Sequence, residues 1–432
     1  MNASTKKGKG LGEYMPLAFA AGIGSMLGSG IIVGLSATIV VWQEGLGLDT
    51  TQVGLLSGIL TFAIAFGSLF GGRLADKIGR VLFFNWINLF YAIGAAICVF
   101  APNFTVLLIG LIIAGLASGA DLPVSMTIVS HDAPDEATAA QLVSTTQVFW
   151  QVGVFISFIC AFLVSAMQGA TGGRVVFAIL AVFAVIAWLW RLLSPTFRRF
   201  HEAADVRDAA RPAVVGNGKV SVTKVLFGAD KKVLLTYFLA IVIFYVGWNL
   251  LANTWGQFQT YMFSKAGAAQ SLATGLGIIL NFVTLVLNIV FASIAGGKYR
   301  NKAFFAGIVI SLIAMAAMAM GGADLWGIVG ATAFMNLGSP LAGEALYKVW
   351  TQESFPIEIR ASIQGFINGF SRLCCGLFAL ITPALVLPET IQTTMWCFFG
   401  IVIIEGIAGT IMIRAQKKYG TDEERQAHKI AA

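Results

Sequence analysis

An all-α membrane protein with twelve spanning helices in two pseudo-symmetric six-helix bundles is the fold class this sequence predicts, and three observations predict it. Of the 432 residues, 57% are hydrophobic and only 11% are charged, against roughly a quarter charged in an average soluble domain. Apolar stretches of about 20 residues recur from end to end, each long enough to cross a hydrocarbon layer as a helix. A polar, charge-rich stretch near the middle divides them six and six.

The first stretch, 17–41, follows Lys6, Lys7 and Lys9 in the manner of a signal peptide. It runs on without an obvious cleavage site and is expected to be a retained helix. Four more follow at 53–72, 82–101, 104–130 and 142–167, and 173–194 completes the first bundle, residues 1–194. The linker, 195–232, holds Arg198, Arg199, Arg207, Arg211, Lys219, Lys224, Lys231 and Lys232. The second bundle, 233–414, follows with stretches at 233–262, 270–296, 303–321, 325–351, 361–387 and 393–414. A tail of 415–432 ends the sequence as given.

Lysine and arginine concentrate in the tails, the 73–81 turn, the linker, the 297–302 turn and Arg360. The opposite loops offer Arg174 and Lys265 beside Glu44, Asp49, Asp324 and Glu389. Cytoplasmic loops keep the excess of positive charge, so both termini are expected to be cytoplasmic and the protein to lie in the cytoplasmic membrane. The net charge of +7 follows from this asymmetry and does not point to nucleic acid. Cys98, Cys160, Cys374, Cys375 and Cys397 lie in apolar stretches without CxxC spacing and are expected to be free core side chains. His131, His201 and His428 are expected in loops or the tail, so neither a metal site nor a histidine relay is predicted. Asn103-Phe104-Thr105 matches a glycosylation sequon but sits in a turn too tight for an acceptor. No phosphate-binding G-x-x-x-x-G-K-[ST] loop occurs, and no cofactor or enzymatic activity is expected.

The halves repeat each other weakly. Gly71-Gly72-Arg73 through Phe83-Phe84 is echoed by Gly296-Gly297-Lys298 through Phe304-Phe305, and Asp121 before Pro134 by Glu344 before Pro356. Internal repeats of this kind place a binding site at the interface between the halves. The turn after the second stretch reads Gly67-Ser68-Leu69-Phe70-Gly71-Gly72-Arg73-Leu74-Ala75-Asp76-Lys77-Ile78-Gly79-Arg80. Glycine permits a sharp turn, Asp76 can face a helix N-terminus and Arg80 can pair with a carboxylate, as a conformational latch requires.

This turn resembles the signature loop G-x-L-A-D-x-x-G-R of the major facilitator superfamily through Gly72, Leu74, Ala75, Asp76, Gly79 and Arg80, with the first glycine shifted by one residue. The second-half copy, Gly297-Lys298-Tyr299-Arg300-Asn301-Lys302, lacks the acid and the second glycine. The segment from Tyr347 through Trp350, Glu353, Pro356 and Arg360 to Ala361 is similar to the sugar porters within that superfamily, and the resemblance implies that Glu353 and Arg360 belong to a cytoplasmic charge network. Leu142 to Gly153 resembles the helix whose glutamine contacts sugar hydroxyls, which implies that role for Gln147. The continuation from Gln364 through Asn368 to Arg372 looks more like bacterial inositol and related porters. Two departures stand out. Proton-coupled sugar porters resemble one another in an acid on helix one and an arginine on helix four, where this chain has Gly28 and Leu111. The paired glutamines of their seventh helix align with Gly247 and Trp248, while Asn253 fits the family asparagine.

Charges inside spanning helices are costly and are functional candidates: Asp121, Glu344, Lys348, Arg372 and Glu405. Glu344 and Lys348 are one turn apart and can neutralise each other. Arg372 is expected to pair with Glu344 or Asp121, and Asp121, Glu344 and Arg372 are the candidates for proton coupling. Amides share helix faces at Gln147 with Gln151, Asn249 with Asn253, and Asn281 with Asn288, and Asn368 joins them. Donor and acceptor together suit neutral hydroxyls. Trp150, Trp248, Trp255, Trp350 and Trp396 offer apolar faces for a ring. The expected cargo is a small neutral polyhydroxylated solute, an inositol-type cyclitol or monosaccharide, bound by Gln147, Gln151, Asn249, Asn253, Asn281, Trp350 and Asn368 and carried by a monomer in the lipid bilayer by alternating access, with or without a proton. The rivals are a proton-coupled exporter of organic cations and a nutrient sensor of the same fold.

Overall fold

The computed structural model describes residues 13–133, 136–210, 225–228, 230–294, 299–321, 324–422 and 424–425. All its regular elements are α-helices. In chain order they are α1 (Met15–Leu46), α2 (Thr50–Ile78), α3 (Arg80–Val99), α4 (Phe104–Asp132), α5 (Glu136–Leu163), α6 (Thr171–Leu193) and α7 (Pro195–Ala210). Then come α8 (Lys231–Lys265), α9 (Gln270–Ile294), α10 (Arg300–Met320), α11 (Leu325–Gly338), α12 (Glu344–Ser354), α13 (Ile357–Leu385) and α14 (Ile391–Tyr419). Among the described residues ten helices are long and apolar enough to cross a membrane, and Val148–Leu163 and Leu325–Gly338 are shorter apolar helices. The chain is a multi-pass membrane protein.

The structure departs from the sequence expectation in three places. The stretch 325–351 is two helices, because Ser339-Pro340-Leu341-Ala342-Gly343 interrupts it. Pro340 has no amide hydrogen to give to the ladder, and α12 restarts at Glu344. The linker is not featureless: α7 occupies 195–210 and turns Phe197, Phe200 and Ala204 inward. His131 and His201 lie in α4 and α7 rather than in loops. Arg211, Lys219, Lys224, Lys6, Lys7, Lys9, Pro134, Gly296, Gly297, Lys298 and His428 fall outside the described residues.

The cysteines Cys98, Cys160, Cys374, Cys375 and Cys397 are free. Asn103, the sequon residue, caps α4 by accepting from the Val106 amide at 3.1 Å. That satisfies one of the helix's otherwise orphaned donors.

Contacts divide the chain into two compact units, one of residues 1–34, 63–157 and 174–214, the other of 35–62, 158–173 and 215–432. In lipid, helices gain little from burying apolar surface against one another, so close approach of small residues and interhelical hydrogen bonds must hold them. The first unit shows both. Gly94 of α3 lies against Ala114 and Gly110 of α4, and the Tyr91 hydroxyl donates to the Leu27 carbonyl at 2.9 Å. In the second, Gly307 of α10 meets Gly338 and Ala342, Gly409 of α14 meets Phe304, and Gly54 of α2 meets Leu380 of α13. Gln270 donates to the Ala37 carbonyl at 2.5 Å there.

Candidate functional site

The second unit gathers most of the polar side chains singled out from the sequence. α8 is the organising element. Its Asn249 donates to the Ser371 hydroxyl of α13 at 2.7 Å. One turn on, Asn253 accepts from Gln257 at 2.7 Å, and Gln257 also donates to Thr61 of α2 at 2.8 Å. Trp248 donates to the Ser339 hydroxyl at 2.9 Å, at the break between α11 and α12. An added Cβ on Gly343 would meet the Trp248 indole, so the break is shaped to receive that ring.

α12 opens on this break with Glu344, which pairs with Lys348 at 2.8 Å. The two are 47% and 38% exposed, so they border open space rather than being packed away. Arg372 of α13 lies within electrostatic reach of Glu344. Tyr245 stacks between Tyr347 and Trp248, with ring centroids 3.9 and 5.7 Å apart, and the Tyr347 hydroxyl donates to the Gln364 carbonyl at 2.9 Å. Gln364, Asn368 and Arg372 share one face of α13, as their spacing of four requires, and Ser371, three residues after Asn368, borders it. The amide oxygen of Asn368 is enclosed and has no hydrogen-bond partner among the described residues. An enclosed acceptor without a donor is costly unless something supplies one.

Two other candidates are used differently. Trp350 is fully buried, its indole edge-on to Phe244 and Phe304 at 5.0 and 5.7 Å, and holds α12 onto α8 and α10 instead of offering a face to a solute. Asn281 donates to the Gly277 carbonyl of its own helix at 2.9 Å and remains half-buried on α9.

The first unit holds the Asp121 site. Asp121 is bound by Arg191 of α6 through two hydrogen bonds of 2.7 and 3.1 Å, and by Ser125 at 2.9 Å. Arg191 donates further to the carbonyls of Ala20 and Phe84 and lies 3.9 Å from the Phe84 ring centroid. Both side chains are enclosed, at 3% and 0% exposure. An added Cβ on Gly24 would collide with the carboxylate, so α1 comes close enough to seal the pair. This corrects the pairing expected from the sequence: the partner of Asp121 is Arg191, not Arg372. Gly28, at the position of the family's helix-one acid, faces Ser118 and Trp150, with 3.2 and 3.5 Å left for a Cβ. Gln151 is half-buried on α5. The side chain of Gln147 lies outside the described part.

At the turn for which a latch role is expected, Gly79 alone joins α2 to α3 with φ of +103°, a conformation open to glycine at little cost. Gly72 has open space in front of it, and Arg80 is exposed at the start of α3. The side chains of Asp76 and Arg360 lie outside the described part. Glu353 is paired with Arg300 at 2.6 Å and accepts from Gln416 at 3.2 Å, so the second-half copy of the loop supplies it with a cation.

Sequence reasoning missed Arg191, Ser371, Ser339 and Gln257. Arg191 ends an apolar stretch close to Arg198 and Arg199, where a cation ordinarily snorkels to the surface. Serines in spanning helices ordinarily bond their own backbone, so nothing in the sequence marked those two.

Comparison with known proteins agrees with this architecture. The family model described as Major Facilitator Superfamily matches residues 17–379. The minor myo-inositol transporter IolF of Bacillus subtilis (strain 168) is 30% identical over 407 residues, covering 91% of this chain and 89% of that protein. The probable polyol transporter 4 of Arabidopsis thaliana is 28% identical over 179 residues, covering 41% of this chain and 33% of that protein. Among solved structures, a D-xylose-proton symporter matches in fold with a TM-score of 0.73 at 14% identity, covering 91% of this chain and 96% of that chain.

Proposed function

The chain belongs to the major facilitator superfamily, and on that premise we propose that it is a secondary transporter carrying a small neutral polyhydroxylated solute, an inositol-type cyclitol or a monosaccharide, by alternating access. One observation carries this choice of cargo: Asn249 donates to Ser371, which lies one helical turn from Asn368 on α13, and the Asn368 oxygen is enclosed and unpartnered among the described residues. A solute hydroxyl is the donor that oxygen lacks, and it can accept from an amide in return. Kinship with proteins named for inositol and polyols supports the same reading. So does the local charge, because Lys348 and Arg372 outnumber Glu344 and disfavour an organic cation. Gln147 and Gln151 are proposed as further contacts on the resemblance of their segment. The excess of lysine and arginine on one set of loops supports a cell-membrane protein with both termini in the cytoplasm.

A thermal-shift screen of purified protein against cyclitols, hexoses, pentoses and organic cations tests the cargo. A specific ligand at 100 times its Kd stabilises by about 2.7 kcal/mol. Asn249→Ala and Asn368→Ala are each expected to weaken polyol binding by about 1–3 kcal/mol. Stabilisation by organic cations alone would overturn the proposal.

A further inference from the structure

Glu405 is a charged side chain in a spanning helix that the site leaves unused. It does not face lipid: α14 packs it inward until 3% of its surface remains exposed. Its contact is with α8 at Gly247, where an added Cβ would lie 2.8 Å from the Glu405 Cγ and 3.1 Å from Oε1. That oxygen is enclosed and has no hydrogen-bond partner among the described residues.

Among the described residues, the surrounding elements bring it no cation. On α8, the Tyr237 hydroxyl is engaged with the Gly420 carbonyl and Tyr245 is stacked on Tyr347. α10 faces this part of α14 with Ile308 and Phe304, and its Arg300 is held by Glu353. On α14 itself, Arg414, Lys417 and Lys418 follow more than two turns later. An ionised carboxylate with neither a cation nor a donor is strongly disfavoured in such a place, whereas the neutral acid is tolerated. The residues that follow Gly247, Trp248 and Asn249, belong to the polar cluster. One segment of α8 therefore touches the isolated acid at Gly247 and carries the proposed solute contacts beside it.

We propose that Glu405 is a proton-binding site linked to the seating of α8. The carboxyl holds its proton while α8 rests on it at Gly247. When α8 moves off α14, the O–H bond breaks, the proton passes to water as hydronium and the hydrated carboxylate remains. Reseating takes a proton back from hydronium, so acid favours the seated form. The proposal rests on the transport reading for the solute's part in that movement, but not for the proton's.

The test has two arms on wild-type protein and Glu405→Gln in proteoliposomes. Infrared difference spectra over a pH titration, with no solute present, should show the C=O stretch of a protonated acid that is absent from the variant. Solute flux should show that a gradient of one pH unit shifts steady-state distribution of a labelled cyclitol by up to about tenfold for one proton per solute, and that the variant abolishes this shift while counterflow continues. A gradient response unchanged in Glu405→Gln, a wild type that ignores the gradient, or an unaltered infrared band would each overturn the proposal. Should Glu405→Gln not fold, Glu405→Asp must displace the band, and an undisplaced band is again fatal. Absence of cyclitol flux with the band present contradicts the cargo alone.

Discussion

Arg191 gives both of its terminal nitrogens to Asp121 and shares them with the Ala20 and Phe84 carbonyls and the Ser125 hydroxyl. Four helices, α1, α3, α4 and α6, thereby meet on one guanidinium. A buried pair of this kind is weak evidence for stability gained over an apolar core, but breaking it strands a charge and costs about 3–5 kcal/mol. We therefore expect Asp121→Asn and Arg191→Met to lower the thermal unfolding midpoint of the purified protein sharply. The double variant Asp121→Leu with Arg191→Met should recover much of the loss. Equal destabilisation by the double and single variants would show that the pair is not what holds these helices. Asp121 was legible in the sequence as an acid inside the bilayer. Its partner was not, because a cation at the end of an apolar stretch beside further arginines looks like an anchor at the membrane surface.

At the scale of elements, hydropathy located the spanning helices because the 20-residue apolar run is a requirement of the bilayer itself. It could not see the interruption between α11 and α12, because Ser339-Pro340-Leu341-Ala342-Gly343 carries no charge to break the apolar stretch; Pro340 was the visible signal. α7 was hidden for the opposite reason. Its charges mask a narrow apolar stripe of Phe197, Phe200 and Ala204, whose spacing of three and four is helical. That stripe is secured at two points, by Phe200 stacking on Tyr14 at 5.1 Å and by the close contact of the His201 imidazole with the Asp132 carboxylate at the end of α4. His201→Ala should loosen α7 from α4, and faster amide hydrogen exchange across Pro195–Ala210, with α8 unaffected, is the expected readout. Unchanged exchange would mean that ring stacking alone holds the helix.

For the whole molecule, the fold and family were written in the sequence through its hydropathy and one glycine-rich turn, while the cargo was only partly so. Asn249, Asn253 and Asn368 stood out as amides in apolar surroundings, and the structure brings Asn249 and Asn368 to the same stretch of α13 through Ser371. The sequence could not show which groups the amides already engage within the protein, Asn281 with its own helix and Asn253 with Gln257. Nor could it show that Trp350, an apparent platform for a sugar ring, is enclosed between Phe244 and Phe304. What remains available to the proposed solute is hydrogen-bonding capacity with little net charge. Counterflow in proteoliposomes tests it most directly: vesicles loaded with an unlabelled cyclitol or hexose should draw in the labelled compound transiently above its external concentration, without response to lipophilic cations. Failure of neutral polyols to support counterflow, with brisk counterflow of an organic cation through the same protein, would contradict it.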